Sequence, residues 1–272
     1  MQMLHIRSSL ELIQEIEQSE IRYMSDRMSA IQGRPGNPEG IEIQQFGQAV
    51  CYYSRSMPWG SFNTVKGITG AEVELIDSIL EFYQARERNI QLEIVPGLAD
   101  QEILKRLYDH GLYPAGYHTS LYMNPADLTG LHENPRIRVE ELTEDQFDLY
   151  AAIHCRSFGL PEEGIPPVAA NNIVLYPRPG WKFYLAYMDE IPAAAGVMYI
   201  KGDVASLTLA ATLPEFRNQG LQGSLLRARI REAARSGCRL VVGQCAFLSQ
   251  SHRNMEQSGM KVGYIRTTWI KR

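Results

Sequence analysis

The chain has 272 residues, 44% hydrophobic and 21% charged, and a formal net charge of −4. That length exceeds one average domain and lets each half bury a core of its own. Interspersed charges of both signs argue against an extended nucleic-acid-binding face, and no apolar run reaches the roughly 20 residues a membrane-spanning helix needs. The four cysteines, Cys51, Cys155, Cys238 and Cys245, lack zinc-type spacing, and the N-terminus lacks the apolar core of a secretion signal. Reduced thiols in the cytoplasm are expected, with Cys238 and Cys245 as small core residues. The histidines, from His5 to His132 and on to His252, are scattered and predict no metal site.

In chain order, residues 33–40 read as a loop through Pro35 and Pro38. Val73, Ile76, Ile79, Leu80 and Tyr83 recur at helical spacing and predict a helix over 71–87. A strand over 90–95 and a helix over 100–109 follow, ending at Gly111-Leu112. Residues 124–135 mix Pro, Asn, Gly and polar side chains, so a linker at 126–135 is expected to divide 1–125 from 136–272. Beyond it, 137–139 supplies a strand and 146–157 a helix, and Glu162 and Glu163 fall in a Pro/Gly-rich segment. Strands are expected over 182–187 and 193–200, joined by an Asp189-Glu190 turn. Another is expected over 205–212, where small apolar residues are bounded by Asp203 and Pro214.

The segment Arg217-Asn218-Gln219-Gly220-Leu221-Gln222-Gly223-Ser224 then leads into a helix. Leu221, Leu225, Leu226, Ala228, Ile230, Ala233 and Ala234 take the apolar positions, arginines from Arg227 to Arg235 read as its solvated face, and Ser236-Gly237 stops it. A strand that passes through a glycine turn into a helix leaves the first-turn N–H groups without intrahelical acceptors, at the positive end of the helix dipole. An anion satisfies both. Gly220 lets backbone approach a phosphate, and each charge-assisted hydrogen bond contributes roughly 1.5 to 3 kcal/mol. The loop has neither a Walker ending nor three-glycine dinucleotide spacing. A strand over 239–245, a helix over 249–258 ending at Gly259-Met260, and a last strand over 261–270 complete the pattern.

With these surroundings, the loop resembles the acetyl-CoA loop of the GNAT N-acetyltransferase superfamily, Gln/Arg-x-x-Gly-x-Gly/Ala. Arg217 and Gly220 match its first and fourth positions, whereas Gln222 stands at the sixth. The resemblance covers residues 136–272 and implies an α/β (α+β) fold with mixed, mostly antiparallel twisted sheets flanked by helices. It implies acetyl-CoA as cosubstrate without a metal, and direct attack of a primary amine of a small molecule, amino acid or peptide on the thioester. Residues 217–224 would cradle the pyrophosphate, and Arg217 and Arg253 are candidates for the 3′-phosphate. Leu209, Ala210 and Ala211 would pair with the pantetheine arm, with a backbone N–H there, that of Ala211, stabilising the oxyanion. The family's tyrosine acid is replaced by Met255, so Tyr264 is the candidate acid. Glu162 and Glu163 are candidates for activating or attracting the amine. The alternative is a catalytically weak sensor or scaffold that only binds acyl-CoA. An oligomer is neither required nor excluded.

The first half carries an echo. Gly111-Leu112 is followed by Gly116-Tyr117 and Thr119, as Gly259-Met260 is by Gly263-Tyr264 and Thr267, while Gly67-Ile-Thr-Gly70 has no Arg-x-x-Gly pattern. Either the first half is a degenerate GNAT-like copy that lost its cofactor loop, or it is an unrelated α/β cap.

Overall fold

A computed structural model describes residues 9–129 and 134–271; His5, His132 and part of the expected linker lie outside them. The elements in chain order are α1 (Leu10–Gln32), β1 (Ile41–Phe46), β2 (Ala49–Ser54), β3 (Thr64–Lys66), α2 (Ile76–Gln84), β4 (Gln91–Ile94), α3 (Gln101–Asp109), β5 (Leu112–Met123), β6 (Ile137–Glu141), α4 (Phe147–Phe158), α5 (Ile165–Ile173), β7 (Trp181–Met188), β8 (Ile191–Lys201), β9 (Val204–Thr212), α6 (Leu221–Arg235), β10 (Leu240–Ala246), α7 (Gln250–Gln257) and β11 (Lys261–Lys271). The strands are mixed in direction and mostly antiparallel, in an α+β arrangement. No described helix is long and apolar enough to cross a membrane, and all four cysteines are buried free thiols.

The chain packs into two compact units. One holds the described residues up to Ser120 together with those from Val262 onward, and the other holds those from Leu121 to Lys261. A single cut in the sequence does not produce this division, because β11 pairs antiparallel with β4, Thr267 lying opposite Ile94.

Within unit 1 the strand order is β1-β2-β3-β4-β11. Strands β1, β2 and β3 pair antiparallel in turn, and β3 pairs parallel with β4. Helices α2 and α3 bury Ile76, Ile79, Tyr83, Ile103 and Leu107 against Cys51, Val65, Leu92 and Trp269. The sequence reading assigns no element before residue 33, yet α1 runs for 23 residues from a Ser9 cap whose side chain accepts the Leu12 N–H at 3.2 Å. Its buried face mixes Leu12, Ile16, Met24 and Met28 with Glu17, Glu20 and Arg27. Charges at inward positions interrupt the apolar periodicity by which a helix is read.

Those charges meet partners. Lys66 Nζ lies 2.9 Å from Glu20 and also bonds Glu93, while Arg266 bonds Glu20 and sits 2.9 Å from Glu93 through Nε. Glu17 accepts from Tyr264 Oη at 2.9 Å and from the Gly67 N–H at 3.2 Å. His118 of β5 also feels this cluster, its pKa lowered first by burial and then by Arg266. Three carboxyls face two cations, and burial, above all, raises the pKa of Glu17, which favours its neutral form. Burial works the same way on Glu20, but Arg266 and Lys66 outweigh it and hold its pKa at about 2.

Within unit 2 the order is β10-β9-β8-β7-β6. Strands β7, β8 and β9 pair antiparallel in turn, and β9 pairs parallel with β10. This is the same succession of pairings as β1 to β4. Helix α6 drives Leu225, Leu226, Ile230 and Ala233 onto Met188, Met198, Leu207 and Val241. Strand β9 is irregular: Val197 opposes Thr208 but Ala195 opposes Ala211, so β9 carries one extra residue and bulges. Leu209 there adopts φ +48°, a left-handed conformation that a leucine rarely takes.

Removing one partner from a buried ion network costs roughly 3–5 kcal/mol, so Glu20→Gln should show a loss of that size in urea unfolding, whereas Glu17→Gln should stay within about 1 kcal/mol. The folded pKa of Glu20 lies below its ordinary 4.5, so its contribution is complete above that pH and fades as the pH falls toward 2. Glu17 is shifted the opposite way and contributes below 4.5, losing that contribution as the pH rises through its folded pKa. The difference between wild type and Glu20→Gln should therefore shrink on acidification below pH 4.5.

Candidate functional site

The site begins where two parallel strands part. Pairing of β9 with β10 covers Val204 to Leu207 against Leu240 to Gly243, after which both strands continue without partnering one another. Beside that opening lies a cavity of about 760 Å³, walled by the end of β9, the start of α6 and one face of α7, a size typical of small-ligand sites.

The loop between β9 and α6 is built to expose backbone. A tight turn at Pro214–Phe216 leads to Arg217 in an extended conformation and to Asn218 at φ +60°. Gly220 then caps α6 at φ +93° with no side-chain hydrogen bond. A left-handed N-cap without a side-chain acceptor leaves the first amides of α6 unserved. Leu221, Gln222, Gly223 and Ser224 all line the cavity.

Side chains brace this backbone. Arg217 donates to the Ser157 carbonyl at 2.7 Å, tying the loop to the end of α4. Gln222 folds back through Nε2 onto the Ala211 carbonyl at 3.1 Å and Thr212 Oγ1 at 2.6 Å. Its bulk therefore lies along β9 rather than across the loop. Arg227, in the second turn of α6, bonds Ser224 Oγ at 2.9 Å and also faces the cavity. Among the described residues the lining holds two arginines and no carboxylate, and with the α6 dipole this makes an environment for an anion.

No family model and no curated protein matches the chain. Solved structures do match, over most of its length. It is similar to a GCN5-related N-acetyltransferase from Kribbella flavida at 16% identity, covering 92% of this chain and 94% of that chain with a TM-score of 0.66. A GCN5-related N-acetyltransferase from Sphaerobacter thermophilus aligns at 14% identity over 84% and 82% of the two chains, TM-score 0.64. A tandem GNAT protein from the clavulanic acid biosynthesis pathway aligns at 14% identity over 93% and 94%, TM-score 0.61. The fold is that of the GCN5-related N-acetyltransferases.

On this GNAT fold the structure gathers some sequence-predicted residues and disperses others. Ala210, Ala211 and residues 217–224 all border the cavity. Leu209 sits beside them as the bulged residue of β9. Arg253 does not line it; the residues of α7 that do are Gln250, Ser251, Asn254 and Gln257. Tyr264 does not line it either. It is buried within unit 1 with its hydroxyl committed to Glu17, and burial raises its pKa well above 10. Glu162 is an exposed carboxylate bound to Arg156 at 2.9 Å, and that hydrogen bond lowers its pKa, which makes it a weaker base. Glu163 is its exposed neighbour; neither borders the cavity. Met255, which the sequence resemblance sets against a tyrosine, is buried, its methyl close to Gly243.

Sequence reasoning overlooks Ser251 and Asn254, whose one-turn spacing on the exposed side of α7 was the available signal. It also overlooks Ser157 and Phe158, which only the α4 contact brings to the wall. Gln222→Ala removes two hydrogen bonds that hold the end of β9 and should lower stability by about 1–2 kcal/mol. Amide exchange over residues 211–213 should rise at the same time, which peptide-level hydrogen–deuterium exchange measures.

Proposed function

We propose that unit 2 binds acetyl-CoA and transfers its acetyl group to a primary amine of a small molecule, amino acid or peptide, by direct attack in a ternary complex. The observation that carries this reading is the uncapped start of α6, open to a cavity whose described lining has arginines and no carboxylate. A pyrophosphate supplies the acceptors that those amides lack. Arg227 and the unbonded edge of the Arg217 guanidinium add charge beside it. The pantetheine arm would enter where β9 and β10 part and pair with Leu209 to Ala211, and the N–H of Ala211 would face the thioester oxygen as it becomes an oxyanion.

Chemistry at the thioester asks little of side-chain acids. An alkylthiol has a pKa of about 8.5, so the thiolate leaves near neutral pH without a dedicated tyrosine, in keeping with Met255. The amine is the demanding partner, because an alkylammonium with a pKa of about 10 must shed a proton before attack. With no carboxylate among the described residues of the cavity wall, water would carry that proton away. The same features favour a second reading, in which the protein binds acyl-CoA as a weakly catalytic sensor or scaffold. We infer further that residues 1–125 are a degenerate GNAT-like half, residues 126–135 a linker, and residues 136–272 the acetyl-CoA-binding half. The repeated order of strand pairings and the sequence echo support this.

Gly220→Val places a β-branched residue at φ +93°. It should weaken coenzyme A binding tenfold or more, about 1.4 kcal/mol, at a stability cost of about 1–2 kcal/mol; isothermal titration and thermal unfolding read the two effects. Incubation with acetyl-CoA and an amine panel should release free thiol, and kcat/KM should rise about tenfold per pH unit toward the pKa of the amine. Stabilisation by coenzyme A without thiol release would favour the sensor, and a wild type indifferent to coenzyme A would dismiss both readings.

A further inference from the structure

The arginines of α6 are not all solvated. Arg229 is 1% exposed, and its guanidinium reaches the sheet at the bulge of β9. Its Nη1 donates to the carbonyls of Val197 at 3.0 Å and Thr208 at 3.4 Å, and its Nε returns to the Leu225 carbonyl at 3.1 Å. Val197 and Thr208 are opposed residues, the last regular pair before β9 takes its extra residue. One guanidinium nitrogen therefore bridges both strands at the point where their register slips.

The neighbouring backbone is shaped to admit it. Gly196 of β8 lies beneath the guanidinium, and a Cβ there would come within 3.0 Å of Arg229 Cζ. Among the described residues no carboxylate pairs with Arg229. Burial lowers its pKa to about 10, so the side chain remains cationic at neutral pH. An apolar side chain of similar volume would fill this space without the desolvation penalty of a buried charge. What it could not supply is a planar set of donors at a β-bulge, a feature that re-aims backbone next to active sites.

We propose that Arg229 is a positioning residue for acyl transfer: it clamps β8 to β9 at the bulge, so that the left-handed Leu209 and the amides through Ala211 keep a fixed aim into the cavity. It touches neither acetyl-CoA nor the amine. The same side chain is anchored on α6, so the helix that presents the pyrophosphate loop also sets the strand that presents the oxyanion donor. This role rests on the acyl-transfer reading above.

The test compares wild type with Arg229→Met, Arg229→Lys and Gly196→Ala. Three quantities are read: kcat, KM for acetyl-CoA, and hydrogen–deuterium exchange of residues 205–213 in the free protein. Small misplacement of a reacting group costs up to about 100-fold in rate, so Arg229→Met should lower kcat roughly 10- to 100-fold. KM for acetyl-CoA should move by less than about threefold, because only the transition-state interaction is lost. Exchange over 209–211 should quicken. Arg229→Lys retains a charged donor and should recover kcat to within about tenfold of wild type, and Gly196→Ala should repeat the kcat defect more mildly.

An unchanged kcat in Arg229→Met would overturn the proposal. So would a parallel loss of kcat, coenzyme A affinity and melting temperature without selective exchange at the bulge. If Arg229→Met does not fold, the decision passes to Gly196→Ala, where wild-type kcat and exchange would overturn the clamp. Exchange also separates the two ideas. A wild type that neither binds coenzyme A nor turns over defeats the acyl-transfer reading, whereas wild-type exchange over 209–211 in Arg229→Met defeats the clamp alone.

Discussion

Helix α6 starts without a side chain to serve its first amides, and the rest of unit 2 is arranged around that unmet bonding demand. Hydrophobic packing fixes the helix, with Leu225, Leu226 and Ile230 seated on the sheet. Parting of β9 from β10 makes room in front of it. Arg217 and Gln222 hold the connecting loop from opposite sides, one to α4 and the other to the end of β9. Each tie spends a polar side chain on backbone carbonyls, which leaves the N–H groups at the helix start free to define the cavity. Burial energy thus supplies the rigidity, and main-chain polarity supplies the recognition.

Unit 1 follows the same succession of pairings and ends differently. Its two parallel strands, β3 and β4, stop pairing after two positions, at a place comparable to the opening between β9 and β10. Lys66, Glu20, Glu93 and Arg266 are packed there as a buried electrostatic cluster, with α1 supplying Glu20 and Glu17. One pairing scheme therefore supports two interiors. Where glycine and unserved amides follow the parallel pair, the site is open; where a helix brings carboxylates to two buried cations, it is filled.

Much of unit 2 was legible in the sequence because its signals are local. Strands expected over 182–187, 193–200 and 205–212 fall within β7, β8 and β9, and the glycine exit at Ser236-Gly237 marks the end of α6. The loop was legible for the same reason: Gly220 follows a strand and precedes a helix. Features that depend on distant partners were not. Arg229 was grouped with its solvated neighbours because of its charge, although it falls four residues after Leu225 and four before Ala233 on the buried stripe, and only β8 and β9 reveal the carbonyls it serves. Tyr264 suggested an acid by its place after Gly259-Met260, but its hydroxyl is taken by Glu17, 247 residues away in sequence. Helix α1 escaped notice because Glu17 and Glu20 break its apolar stripe, and the cations that face them, Lys66 and Arg266, lie on β3 and β11.

The charge cluster of unit 1 has an evolutionary corollary. Exchanging Glu20, Glu93, Lys66 or Arg266 alone strands its neighbours as unbalanced charges in a buried interior, so a single replacement there carries a stability cost. Only coordinated replacements preserve neutrality. Unit 1 is in this sense locked: a single substitution that opened space between β3 and β4 would first pass through a destabilised intermediate.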